Sequence, residues 1–165
     1  MSQFDTLDHA TRDLIAAADT LFIATAFTDD ATGGVDVSHR GGKPGFVRID
    51  DGRSLVIPDF AGNSYFNTCG NLLINPRAGL LFIDFESGDL VYLTGTTDIV
   101  WDGDEVRGFA GAQRLVRFHL VEGRRVSGGL PLRWSFGDYS PLLARTGSWS
   151  ALHPPLSATG EQPQR

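Results

Sequence analysis

The sequence predicts a mainly β fold, a small antiparallel barrel of six or seven strands with peripheral helices, formed by one domain over residues 1–152. Three observations carry this reading. Apolar residues recur in short runs, alternating or continuous, and each run is bounded by Gly, Pro, Asn or Asp. Hairpin turns dominate the connections, and no regular strand–helix–strand alternation is present, which argues against a parallel doubly wound sheet. Hydrophobic residues make up 41% of the chain and charged residues 21%, a globular balance with eleven Phe, three Trp and three Tyr to fill a core.

Taken in order, Leu7, Ala10, Leu14 and Ala17 recur at three- and four-residue steps and predict a helix from Phe4 to about Leu21. Leu21–Phe27 reads as a buried strand, closed by the turn-rich stretch 28–34. A second strand, Val35–Arg40, breaks at Gly41-Gly42-Lys43-Pro44-Gly45. Asp51-Gly52 predicts a hairpin between Phe46–Ile49 and Ser54–Ile57, with Pro58 as its stop. Gly62-Asn63 opens a second helix, with Phe66, Cys69 and Leu73 on its inner face and Asn75-Pro76 as its end. Gly79–Phe85 is continuously apolar and predicts a strand covered on both faces. The turn Glu86-Ser87-Gly88-Asp89 leads into a strand at Leu90–Trp101, followed by a short helical piece. Val116, Phe118 and Leu120 then alternate with Arg117 and His119, as in a half-buried strand. Residues 153–165, with three prolines and no periodicity, read as a mobile tail.

Several function classes are disfavoured. A net charge of −6 argues against a broad nucleic-acid surface. Cys69 is the only cysteine, so no intrachain disulfide or iron–sulfur centre can be built. No apolar run reaches the length of a membrane span and no signal pattern opens the chain, so a cytoplasmic location is expected. There is no phosphate-cradling Walker loop, no dinucleotide fingerprint and no nucleophile elbow. His9, His39, His119 and His153 show no metal-ligand spacing, and no metal is expected.

Three segments carry candidate chemistry. On the strand through Asp36–Arg40, Ser38 and Arg40 share one face while Val37 and His39 share the other. The glycines that follow permit close approach of a flat ligand, and Arg40 with Lys43 suits a phosphate. The same stretch also reads as a polar hairpin with a bulge and two solvated basic residues. Asn63 is a candidate N-cap, and a helix N-terminus seats anions. Asn63, Ser64, Asn67, Thr68 and Asn71 are dense for a helix, which suggests either a second task or a capped, solvated face. Arg133-Trp134 can stack on a planar ring or close a barrel end.

Together these segments resemble the pyridoxamine 5′-phosphate oxidase-related, FMN-binding family. The likeness runs from about Val35 to Trp101 and resumes around Leu130–Pro141. It is most specific in Asp36-Val37-Ser38-His39-Arg40-Gly41-Gly42, in Gly62–Leu73, and in Asn75-Pro76-Arg77 through Phe85. The resemblance implies a six-stranded split barrel that forms a homodimer, with FMN in two clefts between the subunits. It implies that the strand bearing Ser38, His39 and Arg40 runs beside the flavin, and that backbone amides around Gly45, Phe46 and Val47 face the ring. Asn63, Phe66, Asn67 and Thr68 are implied at the phosphate and ribityl chain, with Arg133 and Trp134 as remnants of a C-terminal signature. In the vitamin B6 oxidases a basic phosphate grip follows the second hairpin. Here that stretch is Gly62-Asn63-Ser64-Tyr65, so Arg40 becomes the main phosphate partner, with Lys43 and Arg77 as alternatives. The implied activity is hydride or electron transfer between FMN and a small substrate or nicotinamide, served by a separate electron donor. A non-catalytic flavin carrier stays open, as does a haem or deazaflavin barrel with His39 or His119 as haem ligand. No residue stands out as a general acid or base, His39 being the nearest candidate.

Overall fold

A computed structural model of the chain describes residues 1–27, 33–62 and 65–149. Within them eight strands form one antiparallel sheet: β1 (Ser2–Phe4), β2 (Thr20–Phe27), β3 (Gly34–Gly41), β4 (Arg48–Ile49), β5 (Ser54–Phe60), β6 (Arg77–Ile83), β7 (Leu90–Val100) and β8 (Ala112–Val126). The spatial order is β3-β2-β6-β7-β8-β5-β4, with β1 added alongside β8. Three helices lie at the periphery, α1 (His9–Ala17), α2 (Asn67–Ile74) and α3 (Asp104–Arg107), and a 3₁₀ turn spans Pro141–Arg145. The sheet ends on β3 at one side and on β4, beside β5, at the other; β3 pairs with neither β4 nor β5, yet Arg40 of β3 meets Asp59 of β5 at 2.8 Å. The sheet is therefore a split barrel, drawn together across its gap by an ion pair.

Strand alternation builds the core. Leu21 and Ile23 of β2, Leu80 and Phe82 of β6, Val91 and Leu93 of β7, and Phe118 and Leu120 of β8 all point inward and are buried. Each such side chain contributes about 1.5–3 kcal/mol by leaving water. The opposite face of β2 and β6 stays partly open, because Gly79, Leu81 and Ile83 are only half-buried. This corrects the expectation that the Gly79–Phe85 run is covered on both faces within one chain.

Other differences have local causes. The first helix is shorter than its periodicity predicts. Residues 2–4 are drawn into β1 by pairing with β8, where the Phe4 ring lies against Gly123. Helix α1 starts only after Asp8, whose carboxylate accepts the Thr11 N–H at 2.8 Å. β5 runs past Pro58 to Phe60. Ser54 O accepts from Asp50 N on the β4 side, so the even-numbered residues of β5 aim their peptide groups there. β4 begins at Arg48, opposite Val56, and the missing N–H of Pro58 faces a side with no ladder.

Helix α2 begins at Asn67, not at Gly62-Asn63, and its N-cap is Phe66 in the left-handed region (φ 55°) without a side-chain cap. Asn63 lies outside the described residues. The buried face is Thr68, Cys69 and Leu72, while Phe66 and Leu73 are exposed. Asparagine bonds set this rotation: Asn71 Nδ2 donates to Thr25 Oγ1 and Asn75 Nδ2 to Ala26 O, both at 3.1 Å. The 153–165 tail also falls outside the described residues. Among the described residues no helix is long and apolar enough to cross a membrane.

Candidate functional site in the split of the barrel

The gap between β3 and β5 opens into a cleft of about 1150 Å³. One wall is the start of β2 and the end of β3, with Asp19, His39 and Arg40; the other is the end of β5, with Pro58 and Phe60. Residues 134–146 form the roof, and their aromatic side chains Trp134, Phe136 and Tyr139 face the space. The roof is fastened at several points. Trp134 packs edge-on against Phe85 (5.2 Å), and Lys43 Nζ donates to Thr146 O (3.0 Å). Trp149 donates its indole N–H to Phe46 O (3.0 Å), stacks under Arg48 (4.2 Å) and meets Phe109 edge-on (5.0 Å). Arg48 is in turn held by Asp50 and Glu105.

The electrostatics of the cleft floor follow from three side chains. Asp59, buried, gives one oxygen to Arg40 at 2.8 Å and the other to Arg114 at 3.0 Å. Two guanidiniums share one carboxylate, so the group keeps a positive charge in excess. Arg145 also lines the cleft, as do the carboxylates of Asp19, Glu86 and Asp138. Burial, reinforced by the nearby Asp19 carboxylate and a hydrogen bond to it, pushes the Tyr139 hydroxyl above its ordinary value, so it stays a neutral phenol.

The structure brings His39, Arg40 and Trp134 together in this cleft, and the other expected site residues that fall among the described ones do not line it. Ser38 and Thr68 both donate to Asp36 Oδ2 at 2.9 Å, a triangle that docks α2 on β3. Gly45 (φ 82°) makes a turn in which the Phe46 N–H is bonded to Lys43 O, and the Phe46 and Val47 side chains are core residues. Phe66 lies over Arg114 with 5.0 Å from ring to guanidinium, and Asn67 is exposed at the start of α2. Arg133 Nη1 donates to the carbonyls of Leu130 and Leu132, both at 2.7 Å, and is spent on its own loop. Lys43 and Arg77 do not line the cleft.

Sequence reasoning missed Asp59, Arg114 and Arg145. For Arg114 a signal existed: it lies two and four residues before Val116 and Phe118, on the apolar side of their alternation. A charged residue at such a position is buried and paired, or the pattern is broken.

A family model described as pyridoxamine 5′-phosphate oxidase matches residues 7–129. The chain belongs to the pyridoxamine 5′-phosphate oxidase family. The match extends further toward the first residues than the motifs alone suggested and stops before Leu130–Pro141. The roof of the cleft is thus a feature of this chain outside the matched family region.

Solved structures agree on the fold. HupZ from Group A Streptococcus is 18% identical with a TM-score of 0.55, over 73% of this chain and 93% of that one. A protein of Lactobacillus delbrueckii, described as a candidate pyridoxamine 5′-phosphate oxidase, is 18% identical with a TM-score of 0.57, over 75% of this chain and 99% of its own. A conserved hypothetical protein of Mycobacterium tuberculosis is 18% identical with a TM-score of 0.52, over 81% and 95%. At these identities the likeness is one of fold. No curated protein is similar enough to the chain to count as a relative.

Proposed function

We propose that this member of the family is an FMN-binding redox protein whose flavin occupies the cleft in the barrel split. The observation that carries the reading is the Arg40–Asp59–Arg114 group, whose excess positive charge lies beside an aromatic-walled space. FMN has the matching halves, an anionic phosphate and a broad planar ring. Arg40, 25% exposed at its side chain, holds the phosphate by a charge-assisted bond, with Arg145 as the second cation on the lining. Trp134, Phe136 and Tyr139 supply planar faces and keep water from the ring. The flavin, when bound, supplies hydride and electron transfer; the chain binds, orients and tunes it. The partner in that exchange is a small organic substrate or a nicotinamide. His39 is the one imidazole among the described residues that line the cleft, and the nearest candidate there for a general acid or base.

A homodimer belongs to the same reading. Cross-strand neighbours share a face, and the register sets Val35 beside Ala26 and Val37 beside Ala24. Phe22 adjoins His39 on one side and Leu81 on the other, and Leu81 adjoins Tyr92. Val35 and Val37 are 77% and 64% exposed, at the edge of a half-buried apolar sheet face that a monomer would leave wet. A second copy of the chain covers it.

Two measurements test the reading. Chromatography of ligand released by heating should give FMN; FAD, haem, a deazaflavin, or no uptake of FMN by the stripped protein overturns it. Anaerobic reduction by NADH or NADPH faster than that of free FMN marks an oxidoreductase, and its absence marks a flavin carrier. Arg40→Ala removes a charge-assisted hydrogen bond of about 1.5–3 kcal/mol. It should weaken FMN by roughly ten- to a hundredfold while leaving riboflavin, which lacks the phosphate, nearly unchanged.

A further inference from the structure

Arg114 does not line the cleft, yet it shares the Asp59 carboxylate with Arg40, which does. Asp59 and Arg114 are cross-strand partners of β5 and β8, and Arg114 is 9% exposed. Its other polar contacts are neutral: Nη2 donates to Gln113 Oε1 at 3.1 Å and Nη1 approaches Cys69 Sγ at 3.9 Å. The rings of Phe66 and Trp101 flank it at 5.0 and 5.4 Å. Its Nε is buried without a partner among the described residues. Asp59 is therefore the one carboxylate that Arg114 contacts among them.

The charge count follows. Arg40 and Asp59 alone make a neutral pair, and a neutral pair attracts a phosphate weakly. Arg114 engages the far oxygen of Asp59, and the trio regains a positive charge in a place that mobile ions screen poorly. Arg40 meets Asp59 through Nη1 and Oδ1 alone, while Oδ2 is taken by Arg114.

We propose that Arg114 acts through Asp59 as a charge-setting and positioning residue, and that it makes the cleft select phosphorylated over unphosphorylated flavin. The inference rests on the reading that the phosphate meets Arg40. A purely structural Arg114, present only to neutralise a buried Asp59, predicts something different: its loss would weaken both flavins alike.

The test is a titration of stripped full-length protein with FMN and with riboflavin, at low and high salt. It compares wild type, Arg40→Ala, Arg114→Gln, Arg114→Lys and the double variant Asp59→Asn/Arg114→Gln. Arg114→Gln should lower the FMN-to-riboflavin affinity ratio on the order of tenfold, as expected for one unit charge acting through a partly buried medium. It should also flatten the salt dependence of FMN binding. Arg114→Lys keeps the charge and should recover most of the ratio. The double variant removes a carboxylate and a guanidinium together, leaves Arg40 with its own charge, and should return the ratio to within about threefold of wild type. Because that variant carries no unpaired buried charge, it also serves if Arg114→Gln does not fold. An unchanged ratio in Arg114→Gln, or a double variant as poor as Arg40→Ala, overturns the role of Arg114. An unchanged ratio in Arg40→Ala shows instead that the phosphate lies elsewhere, and the parent reading falls.

Discussion

Gly42 shows how tightly single residues are specified near the cleft. A Cβ placed there would run into the Phe46 ring, which is 2% exposed and wedged in the core behind the β3 turn. Gly42→Ala should lower stability by about 1–3 kcal/mol through overpacking, read as a fall in Cm without a change in slope during urea unfolding. An unchanged midpoint would mean that the Phe46 side chain has room the packing does not suggest. The same glycine pair was legible in the sequence for another reason, as a place where a flat ligand comes close. The structure assigns Gly42 to packing against a neighbour instead. At this scale the sequence spoke clearly about residue type and poorly about orientation. Arg40 was visible as a cation beside glycines, whereas its tie to Asp59 spans the barrel gap and leaves no trace in spacing. Arg114 was visible only by extending the Val116–Phe118 alternation backwards.

Among the elements, apolar runs located strands better than helical periodicity set the limits of α1, which spans only His9–Ala17. β2 and β7 lie within a residue of the limits read from their apolar runs. β1 has three residues, too few for any period, and exists because β8 offers it an edge. The start of α2 was misread because Asn63 is a plausible cap by type, while the helix turns in from a left-handed Phe66. Helix α3 is short, yet it carries a testable charge. Burial would raise the Glu105 carboxyl, but hydrogen bonds from Arg48 and Arg117 outweigh it and hold the group below its ordinary value. Its folded form therefore resists protonation more than its unfolded form. Stability from this group is full above the unfolded value of about 4.3 and is lost as pH falls through the lower folded one. Because Glu105 grips the Arg48 that lies against Trp149, acid should loosen the roof of the cleft. Melting temperature followed from pH 6 downward should show an acid limb that Glu105→Gln makes shallower. An identical limb in the variant would exclude Glu105 as its source.

For the whole molecule, the open question is what covers the outer face of β3, β2 and β6. If a second copy does, light scattering at micromolar concentration should report twice the chain mass, and Val37→Asp should shift the protein toward monomer. That substitution places a charge at a position 64% exposed in one chain, so the single subunit should keep its melting behaviour. A wild-type monomer that binds FMN tightly would sink the dimer. Overall architecture was the most legible level, since hairpin spacing and the missing strand–helix alternation are statements about the whole chain. Barrel closure was not, because the residues that meet there belong to strands that never pair.

β8 pairs with three partners drawn from across the sequence: Phe118 faces Leu55 of β5 and Thr97 of β7, and Arg125 faces Ser2 of β1. A growing chain on the ribosome can form the β2–β3 hairpin early, but β5 must wait with one edge unsatisfied until β8 has left the exit tunnel. Such distant pairing places folding in the slow, millisecond-to-second regime of topologies rich in non-local contacts. During that wait the exposed strands are vulnerable to joining a neighbouring chain. Overexpression at reduced temperature, which slows synthesis and weakens apolar association together, is the condition under which the barrel should close in its own company.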